Sequence, residues 1–154
     1  MTEAPRWLTP VEEQAWRGML RMHDLLVNQA GRTLQSGFGL SATDYSVLAE
    51  LTRTPDDRLR ILEIAKVLGW EKSRVSHHLA RMTKRGLIAR EECADDGRGS
   101  VVVVTPAGRA AMEAAAPRHV EDVRRLFLDH LTLGQITLLA EITDTVLREI
   151  DAGQ

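Results

Sequence analysis

Apolar residues return at helical spacing over two long stretches that enclose a shorter, more varied middle. From Val11, the positions Ala15, Met19, Leu20, Leu26, Val27, Ala30 and Leu34 fall on one stripe with His23 among them, the period of an amphipathic helix. Thr9 and Glu12 form a capping box around Pro10, which suits the first helical position. Gly37 and Gly39 predict the end of this helix near residue 35. At ~1.5 Å per residue the rod is roughly 40 Å long. It outruns one small core, so part of its stripe is expected to meet another chain.

The middle of the chain changes rhythm. Ser41-Ala-Thr-Asp44 is a second capping box, opening a helix with Tyr45, Leu48 and Leu51 on one stripe. Thr54-Pro-Asp-Asp57 breaks it. A short strand is predicted over 58–61, then a helix over 62–68 carrying Ile64, Ala65 and Leu68 and stopped by Gly69. Another helix follows over 72–84, stopped by Gly86. Strand-like runs at 87–91 and 101–105 flank Asp95-Asp-Gly-Arg-Gly99, the signature of a β-hairpin. Thr105-Pro106 restarts a helix predicted to reach residue 130, with Pro117 as an internal kink. Thr132 and Gln135 cap a last helix marked by Ile136, Leu139, Ile142, Val146 and Ile150. The fold class is therefore mainly α with a small β-hairpin (α+β), without repeats or long linkers.

Residues 62–86 match a helix-turn-helix mechanically. Ala65 is small where two helices cross, Gly69 supplies the turn, and Val75, Leu79 and Met82 anchor the second helix. The opposite face then carries Ser73, Arg74, Ser76, His77 and Arg81. Ser73, Arg74, Ser76 and His77 lie toward the N-terminal end, which reaches base edges when such a helix enters the major groove. Lys72, Arg81, Lys84 and Arg85 suit phosphate. In the hairpin loop Arg98 stands near the tip of a wing, placed to enter a minor groove, with Asp96 able to orient its guanidinium.

Net charge at first argues the other way, for it is −2. Its distribution reverses that reading. Residues 72–85 hold five cations and no Asp or Glu, whereas the chain beyond residue 112 is rich in carboxylates. A local basic surface on an acidic body can bind phosphate, because salt screens distant charges within about 8–10 Å.

The run Leu68-Gly-Trp-Glu-Lys-Ser-Arg-Val-Ser-His-His-Leu-Ala-Arg-Met-Thr-Lys-Arg-Gly-Leu-Ile88, then Asp96-Gly-Arg98 and Thr105-Pro-Ala-Gly108, resembles the multiple antibiotic resistance regulator family, especially its actinomycete members. The likeness extends over nearly the whole chain. It implies a winged helix-turn-helix part over 41–105, dimerisation helices over 9–36 and 106–151, and one such domain over 1–154. It further implies an obligate homodimer on the double-stranded DNA of a palindromic operator, acting as a transcriptional repressor. A small aromatic or phenolic effector is commonly implied, and Trp16, Met19, His23 and Tyr45 mix apolar bulk with polar handles as a pocket for it would. The alternative reading is a winged-helix protein-interaction module without DNA binding, which the acid-free basic helix disfavours.

Other chemistry finds little footing. No phosphate-binding glycine loop, nucleophile elbow or metalloprotease motif occurs, so no enzyme and no cofactor are expected. His77 and His78 point about 100° apart on a helix and make a poor metal pair. Cys93 is the single cysteine, which excludes an internal disulfide and suits a reducing compartment. No apolar run approaches the ~20 residues of a membrane span, and the first residues lack a secretory pattern. A cytoplasmic protein is expected.

Overall fold

The computed structural model describes residues 5–92 and 100–153. Helix α1 (Pro10–Phe38) begins at the predicted capping box, with Thr9 N donating to Glu12 Oε2 at 2.7 Å and Glu12 N to Thr9 Oγ1 at 3.3 Å. It passes through Gly37 and ends at Gly39, slightly later than its sequence suggests. Only its C-terminal end enters a core, through Leu34. Helix α2 (Ala42–Arg53) starts at the Ser41–Asp44 box and stops where the Thr54 hydroxyl donates to the Leu51 carbonyl at 2.7 Å.

Strand β1 (Arg58–Arg60) leads into α3 (Ile61–Leu68), and α4 (Lys72–Lys84) follows a turn at Gly69. Gly69 adopts φ 62°, a left-handed conformation that costs a side-chain-bearing residue energy. Strands β2 (Ile88–Glu92) and β3 (Ser100–Val104) pair antiparallel as predicted. Beyond the predicted hairpin, β1 also joins β3, giving a three-stranded sheet of order β1-β3-β2 in which Val102 faces both Leu59 and Arg90.

Helix α5 (Pro106–Leu126) contains Pro117 without ending there. It stops four residues short of the predicted end: Phe127 leaves helical geometry, and a 3₁₀ turn over Leu128–His130 follows. The His130 ring closes this end, its Nε2 3.0 Å from the Arg125 carbonyl. Helix α6 (Leu133–Ala152) opens at the predicted Thr132–Gln135 box. Among the described residues, no helix is long and apolar enough to cross a membrane.

The chain divides into two compact units, Met1–Pro117 and Arg118–Gln154. In the first, Leu34, Leu40, Val47, Leu48, Leu51, Ile64, Val75, Leu79, Met82, Ile88 and Val102 build one continuous hydrophobic core. In the second, Asp122 is buried with Arg125 at 3.1 Å and Arg118 at 3.5 Å.

Two polar joints fix α4 within the first unit. At its exit, Thr105 Oγ1 donates to the Gly86 carbonyl at 2.6 Å and accepts from Gly108 N at 3.0 Å. This draws the start of α5 so close that a Cβ on Gly108 would lie 1.9 Å from the Leu87 carbonyl oxygen. The Thr-x-x-Gly spacing is thus a packing requirement. The second joint is Asp44, only 2% exposed. It accepts from Ser41 N at 2.9 Å and from Arg85 Nη1 at 2.6 Å, and its Oδ1 lies 3.1 Å from His78 Nε2. Burial alone would raise its pKa. The close approach of the His78 ring, the hydrogen bonds from Arg85 and the Ser41 backbone, and the Arg85 charge outweigh burial and hold the carboxyl well below the usual carboxylate range.

Gly108→Ala is expected to destabilise the fold by about 1–3 kcal/mol through overpacking against fixed backbone. Denaturant unfolding reads this directly, and an unchanged midpoint would refute the tight approach. Asp44→Asn is expected to cost about 1–3 kcal/mol at neutral pH. A folded pKa below the unfolded value of about 3.9 makes the carboxylate stabilising above that value. The contribution is lost as pH falls through the folded pKa, so the gap between Asp44→Asn and the unsubstituted protein should narrow below about pH 4. A gap constant with pH would show that charge plays no part.

Candidate nucleic-acid interface

The orientation of α4 follows from its sequence. Val75, Leu79 and Met82 are each 0% exposed, and His78 is buried beside them. The remaining face is wet: Lys72, Ser73, Arg74, His77, Arg81 and Lys84 are exposed, and Ser76 is half-buried. Positions 74, 77, 81 and 84 succeed one another at three- and four-residue steps, so they form one ridge along the helix. Six of the predicted contact residues are therefore brought to one exposed surface, with Ser76 at its margin.

Two of the exposed cations are held from below. The Arg74 guanidinium carbon lies 3.7 Å from the centroid of the Trp70 ring, a cation–π stack. Arg81 Nη2 is 3.0 Å from His78 Nδ1. Trp70 in turn meets the His78 ring edge-on, with centroids 5.7 Å apart. Arg85 departs from expectation. Grouped with the phosphate-binding cations by its sequence position, it instead donates to Asp44 and to the Gly39 carbonyl, because it sits at the helix exit, over the start of α2. Its charge is committed to the fold.

Sequence reasoning missed Asp44, Trp70, His78 and Arg90. Arg90 on β2 donates from Nη2 to the Ser76 carbonyl at 2.8 Å, tying the base of the hairpin to the middle of α4. A signal for His78 was present: positions 75, 78, 79 and 82 follow the three–four spacing of a buried stripe. For Asp44 and Arg85, separated by 41 residues, no local signal exists.

The remaining predicted residues are dispersed. Arg98, Asp96 and Cys93 lie outside the described residues. Trp16, Met19 and His23 are exposed on the N-terminal half of α1, whereas Tyr45 is buried in the core cluster. Burial raises the Tyr45 hydroxyl pKa. Among the described residues, no group of three or more His, Cys, Asp or Glu side chains could hold a metal ion.

Comparison with known proteins gives this surface a context. The model of the MarR family matches residues 38–99. AbsC, a MarR family transcriptional regulator from Streptomyces coelicolor, is 38% identical, with 97% of this chain and 100% of that chain covered at a TM-score of 0.88. Sco3205 from the same organism, a MarR family transcriptional regulator solved in complex with DNA, is 37% identical over 94% of this chain and 91% of its own, with a TM-score of 0.87. The fold is also that of the organohalide-sensing regulator RdhR-CbdbA1625 in its 2,4-dichlorophenol-bound form, at 16% identity, a TM-score of 0.78, and 97% and 88% of the two chains. The resemblance read from the Asp-x-Arg and Thr-x-x-Gly motifs is borne out, and the chain belongs to the MarR family of transcriptional regulators.

Proposed function

We propose that two copies of this chain bind a palindromic DNA operator and act there as a cytoplasmic transcriptional repressor, by binding rather than catalysis. Helix α4 of each copy enters a major groove, with Ser73, Arg74, Ser76 and His77 toward base edges and Lys72, Arg81 and Lys84 toward phosphates. Arg98, oriented by Asp96, reaches the adjoining minor groove. The observation that carries this reading is the polarity of α4: its apolar stripe is wholly buried while its cations stand in one exposed ridge. The first turn of α4 adds support, since it holds no acid and its N-cap residue Glu71 makes no side-chain cap bond. Such an uncapped helix end favours an anion.

Apolar surface supports the second copy. On α1, Val11, Trp16, Met19, Leu20 and Leu25 are exposed, and on α6 so are Leu138, Ile142, Val146 and Ile150. Stripes of this kind are covered in a stable protein, and two-fold pairing is the commonest way to cover them.

Selection of genomic fragments bound by the full chain should return palindromes with half-sites one helical turn apart, roughly 34–36 Å. With four or five cations per copy on phosphate or groove, log affinity should fall against log salt with a slope of about −7 to −9. A slope near zero, with retention of protein partners instead, would favour an interaction module. Lys84→Ala should weaken all sequences alike, whereas Ser73→Ala should change which sequence is preferred. Arg98→Ala should weaken binding and reduce preference for A·T pairs flanking the half-sites. Unchanged affinity would remove the wing from the interface.

A further inference from the structure

We propose that Asp44 and His78 are positioning residues that aim the Arg81 guanidinium at DNA while leaving its charge intact. The inference rests on the reading above that α4 is the recognition helix. It starts from hydrogen-bond capacity. An arginine side chain only donates, so Arg81 Nη2 at 3.0 Å from His78 Nδ1 requires a lone pair on Nδ1. The imidazole proton then resides on Nε2, which faces the Asp44 carboxylate at 3.1 Å from Oδ1, an electrostatic contact that falls short of hydrogen-bond alignment. Both contacts are compatible with one tautomer of a neutral ring. A protonated ring, or the other tautomer, would set a donor against a donor at Nδ1.

Each member of this relay is fixed by something else. Asp44 is held by Ser41 N and Arg85 at the start of α2. The His78 ring is buried at 7% exposure and lies edge-on to Trp70. Arg81 is the exposed end. The orientation of a buried carboxylate on α2 is thus transmitted through an imidazole to a cation on the ridge of α4.

The chemistry explains the intermediate. A carboxylate in direct contact orients an arginine but also neutralises it, as Asp44 does with Arg85. The neutral imidazole supplies an acceptor without a countercharge. Arg81 therefore uses one of its five donors internally and presents the others, with the full positive charge, to solvent. Holding a long side chain in place before binding lowers the entropy lost when it docks. The same ring supports Trp70, on which Arg74 stacks.

The test separates the two contacts of the ring. His78→Gln keeps a donor where Nε2 stands and so retains Asp44, but offers Arg81 no acceptor at the Nδ1 position. His78→Asn does the reverse. Affinities of the full-length protein would be measured for a duplex fragment selected by the unsubstituted protein. His78→Gln should weaken binding three- to tenfold with little change in melting temperature, and His78→Asn should recover part of that loss despite lower stability. Arg81→Ala should weaken binding about tenfold in the unsubstituted protein but less than threefold in the His78→Gln background. Equal losses in both backgrounds, or no loss from Arg81→Ala alone, would overturn the inference while leaving the regulatory reading in place. Ring-nitrogen NMR of the unsubstituted protein checks the tautomer without any variant, and a proton on Nδ1 would overturn it as well. Absence of any DNA affinity would sink the regulatory reading and this inference together.

Discussion

The orientation of α4 is the constraint on which the proposed recognition of DNA depends, and burial of three side chains sets it. Val75, Leu79 and Met82 are fully removed from solvent. At roughly 1.5–3 kcal/mol per buried aliphatic side chain, turning the helix about its axis would forfeit more than any surface contact could return. The exposed ridge is the complement of that stripe. Its cations face outward because the apolar residues face inward, while Trp70 and His78 fix where Arg74 and Arg81 lie on it. What burial leaves open is sliding along the axis and tilting at the ends. The Asp44–Arg85 pair and the close seat of Gly108 under Leu87 hold the C-terminal exit of α4 against both motions.

Charge is divided by task within this frame. Arg85 and Arg109 belong to the basic complement by composition but spend their guanidinium groups on Asp44 and Asp57. Lys72, Arg74, Arg81 and Lys84 have no carboxylate among their hydrogen-bond partners in the described residues, and Arg74 and Arg81 are held by an aromatic face and a ring nitrogen instead. A net charge of −2 is therefore compatible with a strongly positive ridge. The acids that balance the total lie elsewhere in the sequence, several of them on α5 and α6.

Much of the fold was legible because its signals are local. Thr9 with Glu12, Ser41 with Asp44, and Thr132 with Gln135 all act across three residues, and each forms the predicted box. The bounds of α4 match its sequence reading residue for residue. What escaped depends on contacts between distant parts of the chain. Nothing near Arg58 reports that it will pair with Val103, and nothing near Arg85 reports an acid 41 residues earlier. His78 is a different kind of omission. Its period marked it as buried, but a polar residue on a buried stripe shows its purpose only once its partners are placed.

The first turn of α4 departs from the preference of a helix dipole. Helices α1, α2 and α3 each carry acid in the first turn, Glu12 and Glu13, Asp44, and Glu63, as the positive end of a helix dipole favours. Helix α4 instead places Lys72 and Arg74 in its first turn, behind an N-cap Glu71 whose side chain makes no cap bond. Helices α5 and α6 also lack acid there but do not carry two cations in its place. Like charge at that end costs roughly 0.3–1 kcal/mol per residue, and the uncapped N–H groups add to the penalty. A helix selected only for stability would exchange those cations for carboxylates. Their placement becomes favourable when an external anion approaches the helix end, since the dipole, the free N–H groups and both side chains then attract it together.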